Sequence, residues 1–398
     1  MPGVGMGEDT IAGAPGHPWR VLVAAALIMI LFGSLYAWSI FLEPLQAALG
    51  ATRTAVSTVF AFATISFAAA MLVAPLVFHR ISASWIALAA CMLGAGGLGL
   101  GGLGQSLLSL QVGYGVLFGV ANGVGYSLAL QVANQALPHR RGLATGVVVA
   151  AYALGAVVFT PIFQAGVEVG GPWTTFTGMA VLMAGAGALI WYPLRSAGRA
   201  ARGAVGVGRI MGEFRSGRRL WLLWTGWLFG ASAGLMTLGH AASLVSAYGG
   251  PVPAIAAGTA LIAATNGFGR VAAGWLSDHF PVASILTMAA AIGAVSLLFL
   301  AFWPAPNTVY ASLALVGLSY GLLAAGYPAA VAYLYGAHRV SAMFGVVFTA
   351  WGVAGLCAPV IAGAIVDRTG DYRLALALAG ASAVVSMLCN VALSRAKA

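Results

Sequence analysis

Long apolar segments follow one another along the whole chain, and short polar segments separate them. Each apolar segment has at least the length of about 20 residues that an α-helix needs to cross about 30 Å of hydrocarbon. The apolar positions run without the strict alternation that strands of a transmembrane barrel would show. This pattern predicts twelve membrane-spanning helices, at residues 19–42, 54–78, 83–104, 107–136, 142–167, 173–194, 219–247, 253–279, 282–303, 307–335, 341–366 and 372–394.

The longest polar interruption between these helices is residues 195–218, RSAGRAARGAVGVGRIMGEFRSGR. We interpret it as a cytoplasmic linker between two halves of six helices each, residues 19–194 and 219–394. Residues 1–18 are polar and rich in Gly and Pro, without the basic segment or cleavage site of a signal peptide. We therefore expect a flexible cytoplasmic tail there, followed by a first helix that is retained.

The two halves are similar in sequence. GVVVAAYALGAVV at 146–158 aligns with GVVFTAWGVAGLC at 345–357, and SFAAAMLVAPLVFHR at 66–80 aligns with NGFGRVAAGWLSDHF at 266–280. Two like halves of the same topology predict an all-α, pseudo-symmetric membrane fold of the major facilitator type. In such folds the substrate site lies near the middle of the membrane, between the halves.

Composition and charge agree with a membrane protein and argue against a nucleic-acid-binding one. Hydrophobic residues make up 61% of the chain and charged residues 7%, whereas soluble domains have about 25% charged residues. If the N-terminus is cytoplasmic, fourteen Lys and Arg residues fall in cytoplasmic segments and three, Arg53, Arg368 and Arg373, in outer ones. This asymmetry predicts a bacterial inner-membrane protein with both termini in the cytoplasm, and basic loops in contact with anionic lipid headgroups.

One cation, Arg270, lies inside the predicted helix 253–279, where insertion of an arginine costs about 2.5–3.5 kcal/mol. None of the eight acidic residues is placed to neutralise it at mid-membrane, and the internal repeat pairs it with Ala70. Arg270 either bonds backbone carbonyls and the nearby Asn266 in a packing role, or lacks a counter-ion because the counter-ion is an anionic substrate. We favour the second interpretation, because ionisable residues inside membranes usually serve function and arginine can hold a carboxylate with two hydrogen bonds.

Aromatic and polar residues inside the predicted helices are further candidates. Any single aromatic is more often a packing residue, but a set of them can wall a small cavity. The aromatic candidates are Tyr36, Trp38, Tyr126, Tyr152, Tyr320, Tyr327 and Trp351. Amides such as Asn122 more often make interhelical hydrogen bonds than contact a ligand.

Two titratable residues have interpretations of their own. His240 is the one histidine well inside a predicted helix, and it is either a hydrogen-bonded packing residue or a proton relay. Asp278, at the predicted cytoplasmic end of its helix, either caps that helix end or forms a conformational latch with a cation of another loop.

Several of these segments resemble the oxalate:formate antiporter family of the major facilitator superfamily, which is related to the monocarboxylate transporters. The segments are GSLYAWSIF in the first span, NGFGRVAAGWLSD in the eighth, and YPAAVAYLYG followed by GVVFTAWGVAG. The resemblance implies a carboxylate held between the halves, with Arg270 as its counter-charge and Asp278 in the superfamily's loop motif. It also implies four cavity aromatics, at Tyr36, Tyr126, Tyr152 and Tyr320.

Two differences from the family limit the substrates and the proton coupling that the resemblance implies. The oxalate transporter of the family has a second intramembrane cation, a lysine, where this chain has Trp351, and this difference disfavours dicarboxylates. Many monocarboxylate transporters have an aspartate one turn before the arginine, where this chain has Asn266. This second difference removes the usual proton-accepting acid.

We therefore expect a monomeric secondary transporter, and not an enzyme, that moves a small organic anion, most simply a monocarboxylate, by alternating access. The coupled species, a proton or a counter-anion, stays open. The alternatives are a dicarboxylate or formate-type exchanger and a transporter of a non-carboxylate solute or drug. The sequence carries no metal-ligand spacing and no cofactor motif.

Overall fold

The computed structural model describes residues 18–74, 78, 80–137, 141–197, 217–249, 252–335 and 340–395; at 141–143, 145, 252–254, 278 and 340–342 it describes the backbone alone. The predicted tail, apart from its last residue, and most of the predicted linker at 195–218 lie outside these residues. The division into a tail, two halves and a linker stays a prediction.

Helices make up nearly all of the described chain. Short 3₁₀ segments occur at Ser34–Ala37 and Arg195–Ala197, and a π-helical segment, Gln111–Phe118, joins two of the α-helices. The α-helices are α1 (Pro18–Gly33), α2 (Ser39–Leu49), α3 (Arg53–Val73), α4 (Ala83–Gly104), α5 (Leu107–Leu110), α6 (Gly119–Ala136), α7 (Arg141–Leu194), α8 (Arg218–Ala247), α9 (Val252–His279), α10 (Val282–Phe302), α11 (Pro306–Tyr335), α12 (Val340–Thr369) and α13 (Arg373–Arg395).

Ten of the described helical segments are long and apolar enough to cross a membrane. One of them belongs to α7, whose 54 residues would extend about 80 Å at 1.5 Å per residue, more than twice the hydrocarbon thickness. The backbone of α7 leaves the helical conformation at Gly171, with φ 75° and ψ 175°, and Pro172 begins a new helix there. α7 thus provides two spans. α9, which has 28 residues, is not among the ten. The ten segments, the second span of α7 and α9 together give the predicted twelve spans.

The first predicted span, 19–42, is not one continuous α-helix. α1 ends at Gly33, the 3₁₀ segment Ser34–Ala37 follows, and α2 begins at Ser39. The chain passes close to α7 at this break, because a Cβ atom on Gly33 would lie 1.9 Å from the carbonyl oxygen of Tyr152. The break places Tyr36 in a turn at the centre of the bundle.

The two predicted halves meet where α3 packs on α12, α7 on α9, and α2 on α8. The contact between α3 and α12 depends on small residues of α12. A Cβ on Gly355 would lie 2.4 Å from Cβ of Thr64, and one on Gly363 would lie 3.0 Å from Cα of Thr54. Small residues let helix backbones approach closely inside a membrane. We call this contact the α3–α12 seam.

Gly355→Ala is expected to destabilise the protein, because the new Cβ would overlap the Thr64 side chain. Overpacking of this kind costs about 1–3 kcal/mol, so the melting temperature of the purified protein in detergent should fall. Gly345→Ala, on the same helix, is the matched control, since its Cβ would meet nothing closer than Leu72 Cδ1 at 3.5 Å. Equal melting temperatures for the two variants would contradict the tight seam.

Candidate functional site

Arg270 is buried between the predicted halves, with 6% of its surface exposed. Its Nε donates a hydrogen bond to Asn266 Oδ1 at 3.1 Å, one turn earlier on α9. Nη1 donates to the Val149 carbonyl oxygen at 3.4 Å and Nη2 to the Tyr36 hydroxyl at 3.5 Å, both in the first half. These two contacts are longer than the usual 2.9–3.0 Å of an N–H···O bond. The two terminal nitrogens of the guanidinium, Nη1 and Nη2, are therefore weakly held.

No carboxylate balances this charge among the side chains that the structure describes. The ion pairs found there, Arg53–Glu43 at 3.5 Å and Arg373–Asp371 at 3.3 Å, lie elsewhere in the bundle and leave Arg270 out. A buried charge without an opposite charge is strongly disfavoured unless a bound ion or hydrogen bonds compensate it. The described residues compensate the charge of Arg270 with hydrogen bonds to neutral oxygen acceptors.

The structure brings the predicted cavity aromatics together around Arg270. The Tyr36 hydroxyl lies 3.1 Å from the Tyr320 hydroxyl, which also accepts a hydrogen bond from Trp351 Nε1. The Tyr36 and Tyr152 ring centroids are 5.2 Å apart, and those of Tyr126 and Tyr152 are 5.1 Å apart. We call the set the central cluster; it consists of Arg270, Asn266, Tyr36, Tyr126, Tyr152, Tyr320 and Trp351.

Both predicted halves contribute to the central cluster. The turn after α1, α6 and the first part of α7 supply its first-half tyrosines, whereas α9, α11 and α12 supply Arg270, Tyr320 and Trp351. The hydroxyl contact between Tyr36 and Tyr320 therefore crosses from one half to the other. A ligand bound at Arg270 would therefore contact groups from both predicted halves.

Asn266 presents an unpartnered donor beside the arginine. Its side chain is fully buried, its Oδ1 accepts from Arg270 Nε, and its Nδ2 has no hydrogen-bond partner. An unpaired buried polar group costs about 1–3 kcal/mol. The cluster thus combines a weakly held guanidinium edge with a free amide donor, and an anion is the ligand that complements both.

Two solvent-shielding aromatics and one amide complete the surroundings. The Phe67 ring lies 5.0 Å from that of Trp351, and the Trp227 ring stacks on that of Tyr320 at 6.0 Å. Asn122, expected to join helices, donates to the Phe32 carbonyl oxygen and accepts from the Tyr152 hydroxyl. Sequence reasoning missed Phe67 and Trp227, because phenylalanine and tryptophan are common throughout this apolar chain and nothing in their spacing singles out these two.

The remaining aromatic candidates lie in other packing groups. Trp38 contacts Tyr114 and Phe60, with ring centroids 4.8 and 6.4 Å apart. Tyr327 donates to Asn390 Oδ1 at 3.0 Å and packs on Trp227. Both therefore fit the packing role that a single membrane aromatic usually has.

The match to known families covers nearly the whole chain. The family model described as Major Facilitator Superfamily matches residues 22–308 and 241–397. The chain belongs to the Major Facilitator Superfamily. Its all-α fold of twelve predicted spans is thus the fold of a transporter superfamily, as the internal repeat indicates.

Two curated relatives agree with the resemblance to the oxalate:formate antiporters. The chain is 26% identical over 345 residues to "Uncharacterized MFS-type transporter YhjX" of Escherichia coli (strain K12), covering 85% of this chain and 86% of that protein. It is 25% identical over 299 residues to the oxalate:formate antiporter of Oxalobacter formigenes, covering 73% and 70% of the two chains. The predicted superfamily is confirmed by the family model, and these two relatives are part of the same resemblance.

Solved structures with little sequence identity share the fold. One is a bacterial homologue of the human lysosomal transporter Spinster in an inward-facing, unoccupied conformation, with a TM-score of 0.75, 16% identity, and 96% and 98% of the two chains covered. A mutant of the nucleoside transporter NupG has a TM-score of 0.72 and 11% identity, with 94% and 99% covered. These similarities show the superfamily fold and carry no information on the substrate.

His240 lies apart from the central cluster. Its Nε2 is 2.9 Å from the Pro359 carbonyl oxygen, and its Nδ1 is 2.9 Å from the Tyr372 hydroxyl. A carbonyl oxygen only accepts, so Nε2 carries the hydrogen and Nδ1 accepts from Tyr372. Both ring nitrogens are thus engaged in bonds that join helices, which favours the packing interpretation over the proton relay.

The latch predicted at Asp278 lies outside the described side chains. The backbone of Asp278 belongs to the last turn of α9, which ends at His279. Its role as a conformational latch stays a prediction.

His240→Gln is expected to change the pH dependence of transport only modestly, because His240 bridges helices away from the central cluster. His240→Ala should lower the free energy of unfolding by about 1–3 kcal/mol, since it leaves buried partners unsatisfied. Uptake measured from pH 5 to 8, together with thermal unfolding, checks both expectations. Loss of all response to a proton gradient in the Gln variant would instead make His240 a coupling residue.

Proposed function

We propose that this superfamily member is a secondary active transporter of a small monocarboxylate and that Arg270 binds the carboxylate. The single observation that carries the proposal is the buried guanidinium, which no described carboxylate balances. The unpartnered Nδ2 of Asn266 beside it supports an anionic ligand. A carboxylate can replace both long contacts of Arg270 with two shorter, charge-assisted bonds.

The charges of the central cluster favour a monoanion. Arg270 is the one formal charge among its seven residues, and Trp351 stands where the family resemblance implies a second cation in an oxalate transporter. A dianion at this depth would keep one charge unpaired, which a low-dielectric site strongly disfavours. The tightly packed aromatic rings suit a ligand with a small apolar body, such as a formate- or lactate-like acid.

The cluster also favours exchange over proton symport. It contains no Asp, Glu or His, so its ionisable groups are one arginine and four tyrosines. Carboxylates and histidine are the side chains that usually exchange protons near neutral pH, and the cluster offers neither to a coupled proton. An anion that neutralises Arg270 lowers the cost of reorienting the site, and a counter-anion does the same on the return.

A dicarboxylate exchanger is the second candidate, because the oxalate:formate antiporter is 25% identical to this chain. A drug or sugar transporter fits less well, since the unpaired buried charge is positive. We further propose a protein of the bacterial inner membrane with both termini in the cytoplasm, on the distribution of Lys and Arg among the loops. The monomeric state stays a prediction.

Arg270→Ala is expected to abolish uptake of labelled monocarboxylates into proteoliposomes without unfolding the protein, because the repeat has Ala70 at the equivalent place. Removing one partner of a buried charged pair costs about 2–5 kcal/mol, which corresponds to more than a tenfold loss of affinity. Arg270→Lys keeps the charge but loses the paired donors, so its uptake should also fall sharply. The exposed Arg368→Ala is the control, and normal uptake by Arg270→Ala would refute the proposal.

Trp351→Lys is expected to shift selectivity from monoanions to dianions, because it adds a second cation to the cluster. Trp351→Phe controls for the loss of the Nε1 bond to Tyr320 without adding charge. Competition of acetate and oxalate against a labelled substrate measures the shift at a pH where both oxalate groups are ionised. Stronger inhibition of the wild type by oxalate than by acetate would contradict the charge argument.

A further inference from the structure

A second set of polar contacts joins the two halves where α3 begins and α12 ends. Asp367 Oδ1 accepts from the backbone N–H of Arg53 at 2.9 Å, and Oδ2 accepts from the backbone N–H of Thr54 at 2.8 Å. The Thr54 hydroxyl also donates to Oδ2. The first N–H groups of a helix have no acceptor within that helix, and its N-terminus attracts negative charge. A carboxylate of the second half thus caps a helix of the first half.

The Arg53 side chain strengthens the same junction. Its Nη1 donates to the Tyr372 hydroxyl in the second half. Its Nε donates to Gln46 at 3.0 Å and its Nη2 to Glu43 at 3.5 Å, both in the first half. Tyr372 in turn donates to His240, so the junction reaches α8. Arg53 is therefore held by both halves at once.

The internal repeat does not require this junction. The alignment that pairs 146–158 with 345–357 pairs Glu168 with Asp367, and α9, which corresponds to α3, begins with Val252 and Pro253. Glu168 is exposed, and its Oε1 accepts from Gln164 of its own helix at 2.9 Å. Among the described residues, the carboxylate cap thus occurs on one side of the pseudo-symmetric pair, which points to a role beyond folding.

We propose that Asp367 and the first turn of α3 form the gate that closes the substrate path at the end of the bundle bearing Arg53, predicted to be the outer end. Asp367 is exposed and Thr54 is half-buried, so water hydrates both partners when the contact breaks. The junction is therefore easy to open and close, whereas a fully buried pair would not be. Opening it separates α3 from α12 and admits a solute from outside.

A further polar contact joins the predicted halves between the gate and the central cluster. Between the two, Ser39 of the first half and Thr259 of the second are 3.2 Å apart through their hydroxyl oxygens. Thr259 and Arg270 both belong to α9. This contact is a further polar link between the predicted halves, on the Arg53 side of Arg270.

The test uses a cysteine probe at Ser57, one turn beyond Thr54 on α3. Ser57 is buried against α12, where a Cβ on Gly363 would lie 3.1 Å from its hydroxyl oxygen. Ser57→Cys is made in the full chain after Cys91, Cys357 and Cys389 are replaced by Ala. The labelling rate with a membrane-impermeant maleimide is then measured from each side of the membrane.

Asp367→Ala is expected to raise the labelling rate from the outer side at least fivefold, because it removes all three bonds to α3. Thr54→Val removes one of these bonds and should raise the rate by less. Glu168→Ala, the matched acid of the other half, should leave the rate unchanged. An unchanged rate in Asp367→Ala and in Thr54→Val, or an equal rise in Glu168→Ala, would overturn the gate.

The gate and the proposed substrate are tested separately. Labelling of Ser57→Cys requires no substrate, so a wrong assignment at Arg270 leaves the labelling result unaffected. Spin labels at Ala51 and Leu374, one in each half beside the junction, provide a second readout. Asp367→Ala should add a population with longer distances between the labels, and an unchanged distance distribution would also overturn the proposal.

Discussion

The buried charge of Arg270, which no described carboxylate balances, is the constraint to which the centre of the molecule is fitted. A guanidinium inside a membrane needs acceptors, and the described structure supplies them from Asn266 on its own helix and from Val149 and Tyr36 in the first half. Because two of these three acceptors belong to the first half, Arg270 contacts both predicted halves at their centre. The break after α1 places the Tyr36 hydroxyl beside the Arg270 guanidinium.

The tyrosines add a second property to the arginine. Arg270 and Trp351 can only donate, but the bond between the Tyr36 and Tyr320 hydroxyls can run in either direction without moving a heavy atom. Such a network tolerates a charged arginine with or without an anion. It also keeps the centre polar in places where aliphatic side chains would make the insertion of Arg270 more costly.

Much of this arrangement was predictable from the sequence, for definite physical reasons. Span positions follow from hydrocarbon thickness, and the break inside α7 at Gly171 falls between the predicted spans 142–167 and 173–194. Arg270 was conspicuous because a charge in an apolar run has few explanations. The internal repeat then separated it from the common scaffold, because its partner is Ala70.

Other features depend on residues far apart in the chain, and helical periodicity does not report them. The contacts of Tyr36 with Tyr320 and of Asp367 with Arg53 span about 300 positions in sequence, so no local pattern contains both partners. The 3₁₀ segment after α1 and the π-helical segment before α6 lie within apolar runs that look the same as regular α-helix. Their positions are set by neighbouring helices, as the close approach of Gly33 to Tyr152 illustrates.

The glycines of the α3–α12 seam affect the free energy of exposing that seam to water. A cleft that opens between two helices fills with water, and each Å² of apolar surface newly exposed to water costs about 25 cal/mol. Gly352, Gly355 and Gly363 lie along the α12 face of this seam, where leucine or phenylalanine would expose far more apolar surface. A seam of small residues therefore keeps the wetted and the dry states close in free energy, and polar contacts at its ends can decide between them.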